Sequence, residues 1–162
     1  ILWQKCLGGS LNDFGSKLIS TLNNEVCVFA TTASSNGDVI NSYGSFDVWI
    51  IKCDSSGNIV WQGTYGGPNR EVVASATSDV GGGFLVLSQV SGNGGMVTGT
   101  HGLYDYWLMK IDSVGNFIWG KALGGSNDDV PTDVIQSPDG GFLSVGYSYS
   151  SDGVHGWFFQ TG

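Results

Sequence analysis

Charged side chains are scarce in this chain. They make up 12% of its 162 residues, about half the usual share. That excludes a disordered acidic tail, a coiled coil and a charged helical array. Bases are scarcer still: 6 Lys and Arg stand against 14 Asp and Glu, for a net charge of −8. Nucleic acid and anionic membrane surfaces both demand clustered bases, so neither is an expected partner. Long apolar runs are missing too, and none approaches the ~18 residues of a spanning helix. Proline occurs only 3 times, and so does cysteine. Three cysteines (Cys6, Cys27, Cys53), without CxxC spacing or a His-rich partner sequence, speak against a disulfide framework or a zinc site. The chain opens on Ile1-Leu2-Trp3 with neither Met nor a leader, and reads as a processed form or a segment of something longer.

What is plentiful is glycine, 27 residues, in a pattern that repeats. Trp3, Trp61 and Trp119 stand 58 residues apart, as do Gly8-Gly9, Gly66-Gly67 and Gly124-Gly125. Asp13, Glu71 and Asp129 follow at the same step. Inside the units, Asp47-Val48-Trp49-Ile50-Ile51-Lys52 matches Asp105-Tyr106-Trp107-Leu108-Met109-Lys110. The third copy, His155-Gly156-Trp157-Phe158-Phe159-Gln160, arrives 8 residues early, so the third unit carries a deletion. The repeats span approximately 1–58, 59–116 and 117–162, within a single domain over 1–162.

Each unit reads as four short strands rich in Val, Ile, Phe, Trp and Tyr. The first runs Phe14 to Leu22, Val72 to Val80 and Val130 to Ser137. The second runs Val26 to Thr31, Phe84 to Gln89 and Phe142 to Tyr147. The third is the Trp strand. The fourth is Ile59 to Tyr65, Phe117 to Leu123 and, at the start of the chain, Ile1 to Leu7. Hairpin turns fall at Asn23-Asn24, Gly81-Gly82 and Asp139-Gly140, where residues that take positive φ cheaply are placed. Most strands are apolar on both faces: Trp49, Ile51 and Cys53 point one way, Val48 and Ile50 the other. Strands buried on both sides belong to sheets stacked between sheets. The expected fold is therefore all-β, a β-propeller of four-stranded antiparallel blades with three blades' worth of repeats. Three falls below the usual range of about 4–8 blades, so the chain is expected to belong to a larger or oligomeric ring. Its first strand is expected to pair antiparallel with the segment around Trp157.

The same residues carry a resemblance. Ile118 to Asp129 (I-x-W-x-x-x-x-G-G-S-x-x-D), Asp139 to Ser148 (D-G-G-F-L-x-x-G-Y-S) and Asp105 to Asn116 (D-x-W-x-x-K-x-D-x-x-G-N) resemble the propeller repeats of secreted and surface proteins abundant in Bacteroidetes and found also in archaea. The resemblance covers essentially the whole chain. It implies an exported, non-catalytic surface module, extracellular or on the cell surface, sometimes carried on multidomain proteins. Repeat one departs from it with Asn23-Asn24-Glu25, and repeat three lacks the Asp before Trp157.

Read for chemistry, the repeated residues point to structure. The six Trp fall on two repeat positions and are expected in the core. Asp13, Glu71 and Asp129 form either a ring of Ca²⁺ ligands or, the favoured reading, caps on loop N–H groups beside Gly-Gly. Asp47, Asp105, Asp54 and Asp112 read the same way, as local backbone acceptors. The cysteines replace strand residues and are expected as buried thiols; a Cys6–Cys53 bridge is the alternative. No G-x-S-x-G or H-E-x-x-H motif is present, and only His101 and His155 offer imidazole. No enzyme activity, metal or cofactor is expected.

The repeats differ in their loops. Ser34 to Phe46, Val90 to Tyr104 and the short Tyr149 to His155 share one face with Ser10 to Asp13, Pro68 to Glu71 and Ser126 to Asp129. That face holds the candidate ligand-binding residues Arg70, Glu71, Tyr43, His101 and Tyr104. The expected function is an interaction or scaffold module with a protein partner or further blades, including a head-to-tail copy of itself. A glycan-binding, lectin-like propeller is the alternative, with a glycoside hydrolase behind it.

Overall fold

The structure is a computed structural model. It describes residues 3–153 and the backbone of residues 157–160, leaving out the side chain of Asn23. The chain is all-β, apart from a 3-10 turn at Leu22–Asn24. Asp13–Ser20 (β1), Val26–Thr32 (β2), Asp47–Cys53 (β3) and Ile59–Tyr65 (β4) form a first antiparallel sheet in the order β1-β2-β3-β4. Arg70–Ser78 (β5), Phe84–Ser91 (β6), Asp105–Ile111 (β7) and Phe117–Leu123 (β8) form a second in the same order. Asp129–Gln136 (β9), Phe142–Ser148 (β10) and Trp157–Gln160 (β11) form a third, in which β10 lies between the other two.

The 58-residue period is structural down to its irregularities. Register shifts fall between Gly15 and Lys17 in β1 and between Val73 and Ser75 in β5. In β9 the pairing likewise skips from Pro131 to Asp133. The bulged residues Ser16, Ala74 and Thr132 thus share one repeat position, and each re-aims its strand at the same point. The turn position Asn24, Gly82 and Gly140 has φ of 58°, 83° and 87°. That is left-handed backbone, which only Gly and Asn adopt at little cost.

The sheets stack in a row, the central one packed on both others. Between first and second, Cys27, Phe29, Val48 and Ile50 meet Phe84, Val86, Trp107 and Met109. Between second and third, Leu85, Leu87, Tyr106 and Leu108 meet Val134 and Phe142. The two-faced reading of the Trp strand holds: Val48 and Ile50 face the second sheet, while Trp49, Ile51 and Cys53 gather on the opposite face with Ala30 and Val39. The first strands of neighbouring sheets lie side by side. There Ser75 Oγ donates to Asp133 Oδ1 at 2.6 Å.

One expectation about the chain's start is corrected, and a second, the pairing with the segment around Trp157, is not met within the single chain. No fourth strand forms over the described part of Ile1 to Leu7, and β11 pairs with β10 alone. A strand exists only with a partner, and β11 belongs to the sheet at the other end of the row. Residues 3–7 lie instead against the first sheet. Trp3 Nε1 donates to Ser55 O at 2.8 Å, and its ring covers Gly57, 2.7 Å from where a Cβ would stand. Trp61 covers Gly115 in the same way. Trp3 is 47% exposed, so the core expectation fails for it because no further sheet lies over it. Trp49 and Trp107 are buried; the side chain of Trp157 lies outside the described residues.

Candidate functional site

At one end of the sheets each Gly-Gly pair turns the chain into a first strand, and an acid four residues on closes the turn. Asp13 Oδ2 accepts from Gly9 N–H at 2.7 Å, Glu71 Oε2 from Gly67 N–H at 2.8 Å, and Asp129 Oδ2 from Gly125 N–H at 2.7 Å. The capping role expected for all three is therefore the one they play. Asp47 Oδ2 accepts from the N–H groups of Tyr43 and Gly44 at 2.8 and 3.3 Å, and Asp105 Oδ2 from that of His101 at 2.7 Å. Asp54 and Asp112 hold the turns at the opposite end through the N–H groups of Asn58 and Asn116, each at 2.8 Å.

The stacking of sheets adds something that one repeat cannot show. Glu71 N–H donates to Phe46 O at 2.8 Å and Asp129 N–H to Tyr104 O at 2.7 Å, tying each first strand to the preceding sheet. This brings Asp47 against Glu71 and Asp105 against Asp129, all four buried. Both carboxylates of a pair crowd the same glycine. A Cβ at Gly66 would lie 2.2 Å from Glu71 Oε2 and 2.6 Å from Asp47 Oδ1. Only glycine lets them approach so closely, and the same holds for Gly124 beside Asp105 and Asp129. Asp47 Oδ1, Glu71 Oε1, Asp105 Oδ1 and Asp129 Oδ1 are buried without a hydrogen-bond partner among the described residues. Burial, aided by the facing Asp47 charge and opposed by the Gly67 N–H, pushes Glu71 up to about 7. Burial likewise raises Asp47 and Asp105 above the usual carboxylate range. Among the described residues no group of three or more His, Cys, Asp or Glu has metal-binding geometry.

Above these pairs the loops diverge. Arg70 lies between two rings, its Cζ 5.6 Å from the centre of Phe46 and 5.8 Å from that of Tyr104, in cation–π geometry. Of the five candidate residues, Arg70 and Tyr104 are thus brought together. Tyr43 and His101 are exposed on the same rim. Glu71 is not on the open surface; it is buried at the seam and spent on Gly67. Phe46 was the partner that sequence reasoning passed over. Its signal was its place directly before Asp47, matching Tyr104 before Asp105.

The three cysteines are free thiols. Cys27 and Cys53 are buried as expected, and burial pushes Cys27 up to about 11. Cys6 is exposed, against expectation, because the strand that would bury it is not formed. No helix of the described chain is long and apolar enough to cross a membrane. No protein-family model matches the chain, and no curated protein matches it.

Proposed function

We propose that the chain is part of a β-propeller, each sheet a blade, and that it acts as an exported interaction or scaffold module rather than as a catalyst. The observation that carries this is the division of labour between repeated and unrepeated residues. Each recurring carboxylate at the Gly-Gly turns spends an oxygen on a backbone N–H, and Glu71 and Asp129 lie buried at sheet seams. The residues that differ between repeats, Tyr43, Arg70 with its two rings, and His101, gather on one rim. Aromatic residues around an arginine are favoured anchors in protein interfaces. The resemblance of the repeats to secreted and surface propellers supports an extracellular or cell-surface setting.

A glycan-binding propeller is the second reading, favoured by the exposed Tyr43 and the neighbouring Tyr147–Tyr149 pair, whose rings meet edge to face at 6.0 Å. A lectin needs like platforms on every blade, and these loops are unlike. The test places a photo-crosslinking residue at His101 on the rim, with a control at Val114 in the opposite turns, and adds a glycan array. A discrete protein adduct from His101 alone is expected. Saturable glycan binding lost in Tyr43→Ser would replace this reading with the lectin.

A further inference from the structure

We propose that the rim over the first and second sheets holds a carboxylate of a protein partner, received in plane by the Arg70 guanidinium. This deepens the interaction reading above and rests on it. The residues that carry it form one continuous row. The Phe14 and Phe46 rings meet at 6.3 Å between centres. Arg70 Cζ follows at 5.6 Å from the centre of Phe46, and Tyr104 closes the row at 5.8 Å from Arg70. The backbone fixes this order. Phe46 pairs with Arg70, and Tyr104 with Asp128, in parallel bridges between neighbouring sheets. Phe14 is exposed, and Phe46, Arg70 and Tyr104 are half-buried.

Arg70 is the only arginine of the chain; every other base is a lysine. Rings lie against the guanidinium, and its N–H groups point out along its own plane. That plane is a fork matched to the paired oxygens of a carboxylate, which an ammonium cannot imitate. Within the chain these donors are unclaimed. Among the described residues the ion pairs join Lys52 to Glu25 and Lys110 to Asp79. The Arg70 side chain meets the rings of Phe46 and Tyr104 and gives no hydrogen bond to a described residue. Nor does it serve the acids beneath it. The charge that acts on Glu71 is that of Asp47, and those that act on Asp105 are His101 and Asp129.

The surroundings say what carries the carboxylate. Leu11, Ile40, Tyr43, Leu103 and Tyr149 stand exposed on the loops of the same end. Such side chains gain by being covered with another apolar surface, and the same cover strengthens an ion pair by excluding water. The net charge of −8 repels polyanions and strongly acidic proteins. One isolated carboxylate escapes that penalty. The partner is therefore a protein surface that presents a single Asp or Glu side chain among apolar ones.

Benzoate is the probe, a carboxylate on an apolar ring, with benzamide as the uncharged control and sulfate as the non-planar anion. Because Arg70 is the sole arginine, its Nε–H signal in nuclear magnetic resonance is unambiguous. A saturable shift of that signal is expected with benzoate and with neither control. Arg70→Lys keeps the charge and loses the fork. Its fold verified by circular dichroism, it should bind benzoate roughly tenfold more weakly, the loss of a hydrogen bond between charged groups. It should also lose the protein adduct formed from the crosslinker at His101. No response to benzoate, an equal response to either control, or full affinity in Arg70→Lys would each overturn the proposal. Uronic-acid glycans retained through Arg70 on the array would overturn it too, putting a sugar acid in place of the protein. A His101 adduct that survives Arg70→Lys removes the carboxylate and leaves the interaction reading standing; no adduct from the unaltered rim removes both.

Discussion

Asp13 and Glu71 hold one place in successive repeats and titrate in opposite directions. Burial pushes Asp13 up, but the Gly9 N–H and the hydroxyls of Thr32 and Ser34 outweigh it and hold the carboxyl below its ordinary value. Glu71 has one N–H and a facing Asp47, and rises to about 7. Protonating Glu71 removes one of the two buried acids crowded around Gly66. The sign of the pH effect follows. The unfolded chain releases the Glu71 proton near 4.5 and the folded chain near 7, so between those values the folded form binds more protons. The Glu71 contribution to stability is full below about 4.5, falls between about 4.5 and 7, and is gone above. At about 1.4 kcal/mol per pKa unit the loss is on the order of a few kcal/mol. Thermal melting from pH 4.5 to 8 should show the decline, and Glu71→Gln should flatten it. Calcium is expected to change nothing. Two carboxylates that each spend an oxygen on backbone N–H fall short of the six to eight oxygens it takes. A melting temperature raised by Ca²⁺ and lowered by EDTA at pH 7 would show a cation in place of the proton. The caps were legible in the sequence, since Gly-Gly and an acid at fixed spacing describe a local turn. The acid pairs were not, because they join residues of neighbouring sheets.

A strand in this chain is defined by what lies on its two faces. Trp107 is buried between sheets, stacked on Phe117 at 6.4 Å between ring centres. Trp107→Ala should cost about 3–5 kcal/mol, as for other large core aromatics, read as a lowered denaturant midpoint. A change of a degree or two in melting would mean that the seam does not depend on this ring. The strands β2 to β10 were legible to within a residue or two, because alternating β-branched and aromatic residues between turn residues leave little choice. The bulges were not. Ser16, Ala74 and Thr132 share no chemistry; the position is set by how first strands approach one another. Residues 3–7 have strand composition and no strand, since composition cannot provide the partner backbone.

At the scale of the molecule, the row of sheets ends in two apolar faces, and the N-terminal segment partly shields one. Deleting residues 1–7 removes Trp3 and Leu7 from the cavity over Trp49 and Ile51. The deleted chain should melt lower and aggregate, as unprotected apolar sheets do; unchanged solubility would show that the segment is dispensable. Cys6 belongs to that same segment. Its repeat equivalents Thr64 and Ala122 are buried, whereas the Cys6 thiol stands open in the single chain. Its reactivity therefore reports on that segment alone. Native protein should yield one fast-reacting thiol per chain to a disulfide reagent, with Cys27 and Cys53 silent until denaturation. An adduct on Cys6 would sit on the segment that shields this face, so an oxidant reaches the cover of the first sheet without reaching the thiols beneath it.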